Sequence, residues 1–376
     1  MPEAIEAVIR MSPLEQTHTQ LGAVMTDRDG WSVPASYGDA LFEYAAVREG
    51  GVGLIDLSSR GRLLVSGSEA VQFLNGLITN DVKTLEPLHW MPAAFPNVQG
   101  RLLASVRVMR RDDGFLIDTE SATHAVVLMT LGRFTLAGDF HVTDLTDTLA
   151  NLSVQGAQAA TIIRKLLGDP YAEIESDALQ SLQFENAELT LVRSTHTGED
   201  GFDLFVGAEK AHALWQSLQA AGARPCGFDA LEILRIEAGE ARYGIDMDDT
   251  NVVSETNLDD AVSFTKGCYI GQEIIARIKY RGHVAKKLTG LVFAQPLHLE
   301  TGGTIHSVDD KEIGRITSHT FSPHLGKTIA LGYVKFDYLA PGTNVNVTSG
   351  DVAHAADIVS LPIVRGTWYK SAESQN

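Results

Sequence analysis

After Thr289 the chain stops mixing helical and strand patterns, and that change limits its fold more than any other feature. Gly290–Phe293, Gly314–Thr317, Ile329–Val334 and Asn344–Val347 are short alternating runs separated by glycine and proline turns. Alternation with a period of two marks a strand with one buried face. Many short strands in one stretch must hide their edges, and closing on themselves does so. We therefore expect a small all-β C-terminal domain, a barrel.

Upstream the two patterns alternate. Residues before Gly30 read as a helical lead-in with a turn at Asp27–Gly30, and Leu41–Val47 as an amphipathic helix ended by Gly50 and Gly51. Arg62–Gly67 is a strand pattern, and Ser68 is expected to cap the helix that follows, with Ala70, Leu74 and Leu77 inward. Ala93–Gly100 enters a turn, Arg101–Met109 and Phe115–Asp118 flank the hairpin signal Asp112-Asp113-Gly114, and Ser121–Leu131 is helical before a strand at Asp139–Leu145. That order suggests a split βαβ, ferredoxin-like unit. Leu152–Gly156, Leu189–Arg193 and Gly201–Val206 are further strands, with helices at Ala157–Leu167, Glu209–Ala221 and Asp229–Ala238. The tail from Lys370 is polar and expected to fray.

Composition narrows the partners. A formal net charge of −18 over 376 residues repels nucleic acid and anionic lipid, so binding to either is not expected. No run approaches the ~20 apolar residues of a membrane span, and the start shows no signal-peptide pattern. Cys226 and Cys268 are the only cysteines, too few for a disulfide framework or a zinc finger, which points to the cytoplasm. The acidic run Asp246–Asp249 reads as a solvated loop, and no metal site is expected.

The densest chemistry lies in Lys266-Gly-Cys-Tyr-Ile-Gly-Gln-Glu273, continuing to Arg277. Two glycines around Cys268 let the backbone turn or approach a ligand closely. Lys266 and Arg277, if folded beside the thiol, favour its thiolate. Arg277–Lys287 alternates cations with other residues, which suggests an extended strand; Arg277 and Arg281 are its better ligand candidates, since guanidinium pairs well with carboxylate or phosphate.

This octapeptide resembles the signature of the YgfZ-type folate-binding proteins, relatives of the glycine-cleavage T-protein, an aminomethyltransferase. The likeness covers nearly the whole chain: Thr197-Gly-Glu-Asp-Gly201 resembles the T-protein TGE-x-G turn, Leu234-Arg-Ile-Glu-Ala-Gly239 its LR-x-EAG helix end, and Gly314–Ser318 with Ile329–Gly332 its barrel. The fold this implies is α+β, a three-domain cloverleaf around a central folate channel. Its parts are 1–60 with 146–228, a ferredoxin-like 61–145 with 229–285, and a barrel at 286–376. The cofactor it implies is tetrahydrofolate or a derivative. Glu199 matches a folate contact; one carboxylate can accept both the 2-amino and ring N–H bonds of a pterin. Arg235 matches a substrate-site arginine, its partner being the folate's acid end or a carboxylate in the channel. Lys266, Tyr269, Gln272 and Arg277 are taken as further cofactor contacts, and Cys268 as a functional thiol.

One position departs from the T-protein. After its Asn-x-x-Gly turn, here Asn97–Gly100, a paired Asp-Asp is expected, and the chain reads Ala104-Ser105. A methyl group cannot move a proton or stabilise a developing cation. The departure argues against glycine cleavage and for the YgfZ branch. The leading expectation is thus a tetrahydrofolate-binding accessory protein that uses Cys268 in assembly or repair of iron–sulfur enzymes, with assembly proteins or client enzymes as partners. A lone cysteine would have to share a cluster, since clusters want about four thiolates. The alternatives are a folate-dependent one-carbon transferase whose acid lies elsewhere, and a folate carrier with a structural thiol.

Overall fold

The computed structural model describes residues 9–369 apart from 134, 137 and 301. The polar tail from Lys370 and the first eight residues of the lead-in lie outside the described residues, as does the side chain of Arg281. The chain divides into two compact units, one running up to Arg62 with Asp144–Thr195 and Glu199–Glu232, the other Leu63–Thr143, His196–Gly198 and everything from Ile233.

The first unit is built on a six-stranded sheet. Its order is Leu179–Phe184, Ala187–Arg193, Gly201–Gly207, Leu149–Gln155, Gly53–Asp56 and Arg224–Pro225. One face is apolar: Leu152, Val154, Leu191, Phe202 and Leu204 pack against the helices Ala159–Leu167 and Ala211–Ala221. Trp215 from the second helix is fully buried, with the His18 ring edge-on at 5.2 Å. The opposite face is polar, because successive side chains point to opposite sides. Asn151, Ser153 and Gln155 lie there, and Asp203 is registered across from Ser153; all four are fully buried. Among the described residues the lead-in is helical only at Glu15–Gln20; the Asp27–Gly30 turn joins two strands, Val24–Arg28 and Trp31–Ser36.

The second unit holds two sheets. The first orders Trp90–Pro96, Leu102–Arg111, Gly114–Thr119, Gly61–Ser66 and His141–Asp144, covered by the helices Ala70–Leu77 and Ser121–Gly132. Ser68 does not cap the first of these helices: its N–H and hydroxyl both donate to Asp139, at 2.7 Å, and Glu69 stands at the cap position. The second sheet is a closed six-stranded barrel of Lys286–Phe293, Lys327–Lys335, Glu312–Ser322, Thr304–Ser307, Asn344–Ser349 and Val352–Val359. Its core is Leu291, Phe293, Ile305, Ile316, Val345, Val347 and Ile358. The expected barrel is present, and the fold is of the mixed α and β kind that the sequence implied.

The stretch after the octapeptide differs from expectation. Gln272–Arg281 is a helix, and the strand begins only at Lys286. Alternating cations suit either period when one apolar residue needs burial. Here Ile275 is the fully buried residue, and Glu273 and Arg277 meet one turn apart, a spacing only a helix brings together.

Candidate functional site

Of the sequence-singled residues, Glu199 belongs to the first unit, and Arg235, Lys266, Cys268, Tyr269, Gln272 and Arg277 to the second. Glu199 sits in the turn before the strand Gly201–Gly207. Its Oε1 accepts from Arg48 Nη1 at 2.5 Å, and the two side chains are 5% and 4% exposed. Arg48 ends the helix Ala40–Arg48. The two residues stand 151 apart, so no local pattern announces the pair. Arg193 fixes the same turn by gripping Asp200 through Nε and Nη2, at 3.0 and 3.2 Å. On the polar sheet face Gln155 Nε2 donates to Ser153 Oγ and the Ser194 carbonyl. Both polar atoms of the Asn151 amide are buried without a hydrogen-bond partner, which native proteins avoid unless something else satisfies them.

In the second unit Arg235 projects from the helix Phe228–Ala238 and is 6% exposed. Its Nη1 donates to Asp246 and to the Glu240 carbonyl at 3.1 Å, its Nη2 to Ser318 Oγ at 2.8 Å. Asp246 also accepts from Thr317 Oγ1 at 2.5 Å. The carboxylate beside Arg235 is that of Asp246. The helix stops at Gly239, where φ is +78° and a Cβ would meet Leu361 at 2.9 Å.

The octapeptide packs on the Asn97–Gly100 turn. Gly271 has φ +77°, and a Cβ there would sit 2.4 Å from the Asn97 carbonyl oxygen. Gly267 is different: a Cβ there would meet nothing within 4 Å. Lys266 Nζ donates to the carbonyls of Ile78 and Asn80, at 2.9 and 2.5 Å, just past the helix Ala70–Leu77, with the Tyr269 ring centroid 5.1 Å away. Burial lowers its pKa to about 8, opposed by Asp81. Burial likewise raises the Tyr269 phenol to about 12. Cys268 is exposed. Gln272 opens the helix, and Arg277 Nη2 donates to Glu273 Oε1 at 2.6 Å on the surface.

The two residues standing where aspartates were expected point to opposite faces. Ala104 is fully buried in the core with Phe95 and Leu63. Ser105 is half-buried and registered beside Ala94, on the side that holds Tyr243, Met247 and Tyr269. On its other side the ladder with Gly114–Thr119 ends at Val106 and Thr119.

Comparison with known proteins decides the family. Residues 14–266 match the GCVT N-terminal domain, and residues 286–364 match the glycine cleavage T-protein C-terminal barrel domain. The chain belongs to the glycine-cleavage T-protein family. It is similar to the aminomethyltransferase of Streptomyces coelicolor, 32% identical over 95% of this chain and 98% of that one. The aminomethyltransferase of Halothermothrix orenii is 30% identical over 95% of this chain and all of the relative. The crystal structure of aminomethyltransferase T of the Bartonella henselae glycine cleavage system superposes with a TM-score of 0.87 at 24% identity, over 95% of this chain and 98% of that one. That likeness shows the T-protein fold. The family's cofactor is tetrahydrofolate, as the motifs implied.

These matches correct the sequence reading. Relatives matched nearly end to end are named aminomethyltransferases in one organism after another. The iron–sulfur accessory role, its assembly partners and the YgfZ branch are therefore set aside. So is the expectation that Ala104 and Ser105 exclude glycine cleavage. That expectation assumed the acid must sit on one strand, whereas a carboxylate from another segment can face the same space. Among the described residues no helix is long and apolar enough to cross a membrane.

Proposed function

We propose that the protein is a folate-dependent one-carbon transferase of the aminomethyl type. The observation that carries this reading is the extent of the likeness, 95% of this chain against 98% of an aminomethyltransferase, including both family domains. Free Cys226 and Cys268, with no disulfide, support a cytoplasmic setting.

The donor groups of the first unit suit a pterin. Glu199, paired with Arg48, offers the acceptor that a 2-amino group and ring N–H require. The unsatisfied Asn151 amide offers both a donor and an acceptor on a dry polar face. When bound, tetrahydrofolate supplies the nucleophilic nitrogen that receives the one-carbon unit. In the second unit Arg235 locks Asp246 and Ser318, and Lys266 ties Tyr269 to the Ile78–Asn80 corner. Tyr269 and Gln272 are proposed as folate-side groups, and Arg277 as a peripheral cation.

The test is tetrahydrofolate binding by calorimetry, together with one-carbon transfer to tetrahydrofolate in a reconstituted glycine-cleavage mixture from which the resident T-protein is omitted. Transfer that depends on adding this protein is expected. Binding without any transfer would leave a carrier instead.

A further inference from the structure

The first unit holds a cleft whose lining includes none of the residues assigned above to folate. The helices Ala40–Arg48, Ala159–Leu167 and Ala211–Ala221 each give it a wall, and Gly50–Val52 and Arg224 complete it. Its volume is about 520 Å³, inside the roughly 300–1,000 Å³ of small-molecule sites. Local sequence accounts for the opening. Two of the helices are followed by left-handed glycines, Gly50 at φ +81° and Gly222 at φ +116°, so both chains turn away at the cleft. The third presents Gln158, Thr161 and Lys165, spaced by three and four and so on one side. The wall is closely packed, since a Cβ on Gly51 would come 2.5 Å from the Ala46 carbonyl oxygen.

The charged residues of the lining are Glu49, Lys165 and Arg224. Lys165 is already engaged: its Nζ donates to the Ala221 carbonyl at 3.1 Å, where it answers the negative end of that helix. Arg224 is placed by its backbone, whose N–H donates to the Val52 carbonyl at 3.0 Å. Among the described residues its guanidinium makes no hydrogen bond and no ion pair, and Glu49 pairs with neither cation. The chain has 48 acidic residues, yet no described one reaches Arg224. Beside these charges the surface is apolar. Val52 and Ile162 are buried at the floor, while Phe42 stands at the rim, 77% exposed.

We propose that this cleft binds a small planar aromatic ring carrying one phosphate group, a ligand of the nucleoside monophosphate kind. The guanidinium of Arg224 offers paired donors that match two phosphate oxygens, and Lys165 adds a second positive charge. Phe42 offers its ring for stacking, above the apolar floor. Thr161 and Gln158, joined by a 3.0 Å hydrogen bond, present a hydroxyl and an amide to the polar edge of a heterocycle. Glu49 repels further negative charge, which favours one phosphate over a chain of them. A sphere of the observed volume is about 10 Å across, enough for ring and phosphate together. This site does not rest on the transferase reading.

The probes are adenosine 5′-monophosphate, adenosine and inorganic phosphate, titrated into the full chain by calorimetry and by NMR. The monophosphate should bind once per chain, and adenosine and phosphate each at least about tenfold more weakly, because each lacks one half of the recognition. Arg224→Gln should weaken the monophosphate at least about tenfold, the worth of a charged hydrogen bond. Phe42→Ala should weaken it about threefold to tenfold, as the loss of an aromatic partner does. The control is Arg164→Gln. Arg164 neighbours Lys165 on the same helix but is turned to Asp169 and Glu173 and does not line the cleft. That variant should stay within about twofold, since an exposed charge outside the site acts only through screened attraction. All these side chains are exposed, so the fold should tolerate each change. Saturating tetrahydrofolate should leave the monophosphate affinity unchanged.

No monophosphate binding at about 1 mM, a range in which even weak specific sites are occupied, overturns the proposal. So does equal weakening by Arg164→Gln and Arg224→Gln, which would mean diffuse charge rather than a site. Equal affinity for adenosine removes the phosphate contact, and competition by tetrahydrofolate places the probe in the folate site instead. Failure of one-carbon transfer would leave these outcomes untouched.

Discussion

The corner around Arg48 and the helix Gln272–Arg281 use the same chemical parts at opposite burial. Each has a guanidinium–carboxylate pair and a neighbouring cysteine. Arg48 and Glu199 are 4% and 5% exposed, whereas Arg277 and Glu273 are 52% and 82% exposed. Cys226 is buried and donates to the Glu43 carbonyl at 3.3 Å, on the helix that carries Arg48; Cys268 is exposed. Contact distance does not separate the two pairs, at 2.5 and 2.6 Å. Dielectric does: a buried charge has no water to fall back on, so removing its partner is costly, while an exposed pair trades one solvation for another.

The largest contrast should be between the thiols. Burial, reinforced by Glu43, pushes the Cys226 thiol up, so its reaction must await opening of the fold. Timed alkylation near neutral pH, read by peptide mass, should label Cys268 at least about a thousandfold faster, the ratio that an opening free energy of about 4 kcal/mol imposes. Similar rates would mean the corner is not closed. Next comes Arg48→Met, which breaks the buried ion pair with Glu199 and should cost about 3–5 kcal/mol in urea unfolding. A loss below 1 kcal/mol would show that water or another cation reaches the carboxylate.

Glu199→Gln tests the ligand rather than the fold. It puts a donor where an acceptor is needed and should weaken tetrahydrofolate binding by about 1.5–3 kcal/mol, the worth of a charged hydrogen bond. Unchanged calorimetric affinity would remove Glu199 from the pterin edge. The glycines of the octapeptide sharpen the other side. Gly271→Ala drives a methyl against the Asn97 carbonyl at a left-handed backbone position and should cost about 1–3 kcal/mol. Gly267→Ala, with open space around it, should stay within about 0.5 kcal/mol, and equal costs would contradict the packing described. Smallest of all, Arg277→Ala should change thermal stability by no more than about 0.5 kcal/mol.

How much could be read beforehand depended on the range of the interaction. The strand and helix patterns were legible because side-chain periodicity is local, and the barrel followed from short strands and their turns. The helix at Gln272–Arg281 was misread since one buried isoleucine among cations fits either period. Ser68 was misread since its hydroxyl found a better acceptor in Asp139, 71 residues away. Glu199 and Arg235 stood out from their motifs, but Arg48 carried no signal, because its pairing with Glu199 spans 151 residues.

By itself, then, the sequence determined the class of fold, the family motifs and the absence of a carboxylate at Ala104 and Ser105. Only the tertiary structure decided which charges are committed to one another. It joined Arg48 to Glu199 across 151 residues, gave Arg235 the carboxylate of Asp246, and set Gly271 on the Asn97 carbonyl. The reason is physical. A side chain's charge and shape are fixed by its identity, but the strength of a pair depends on how much water the rest of the chain removes from around it.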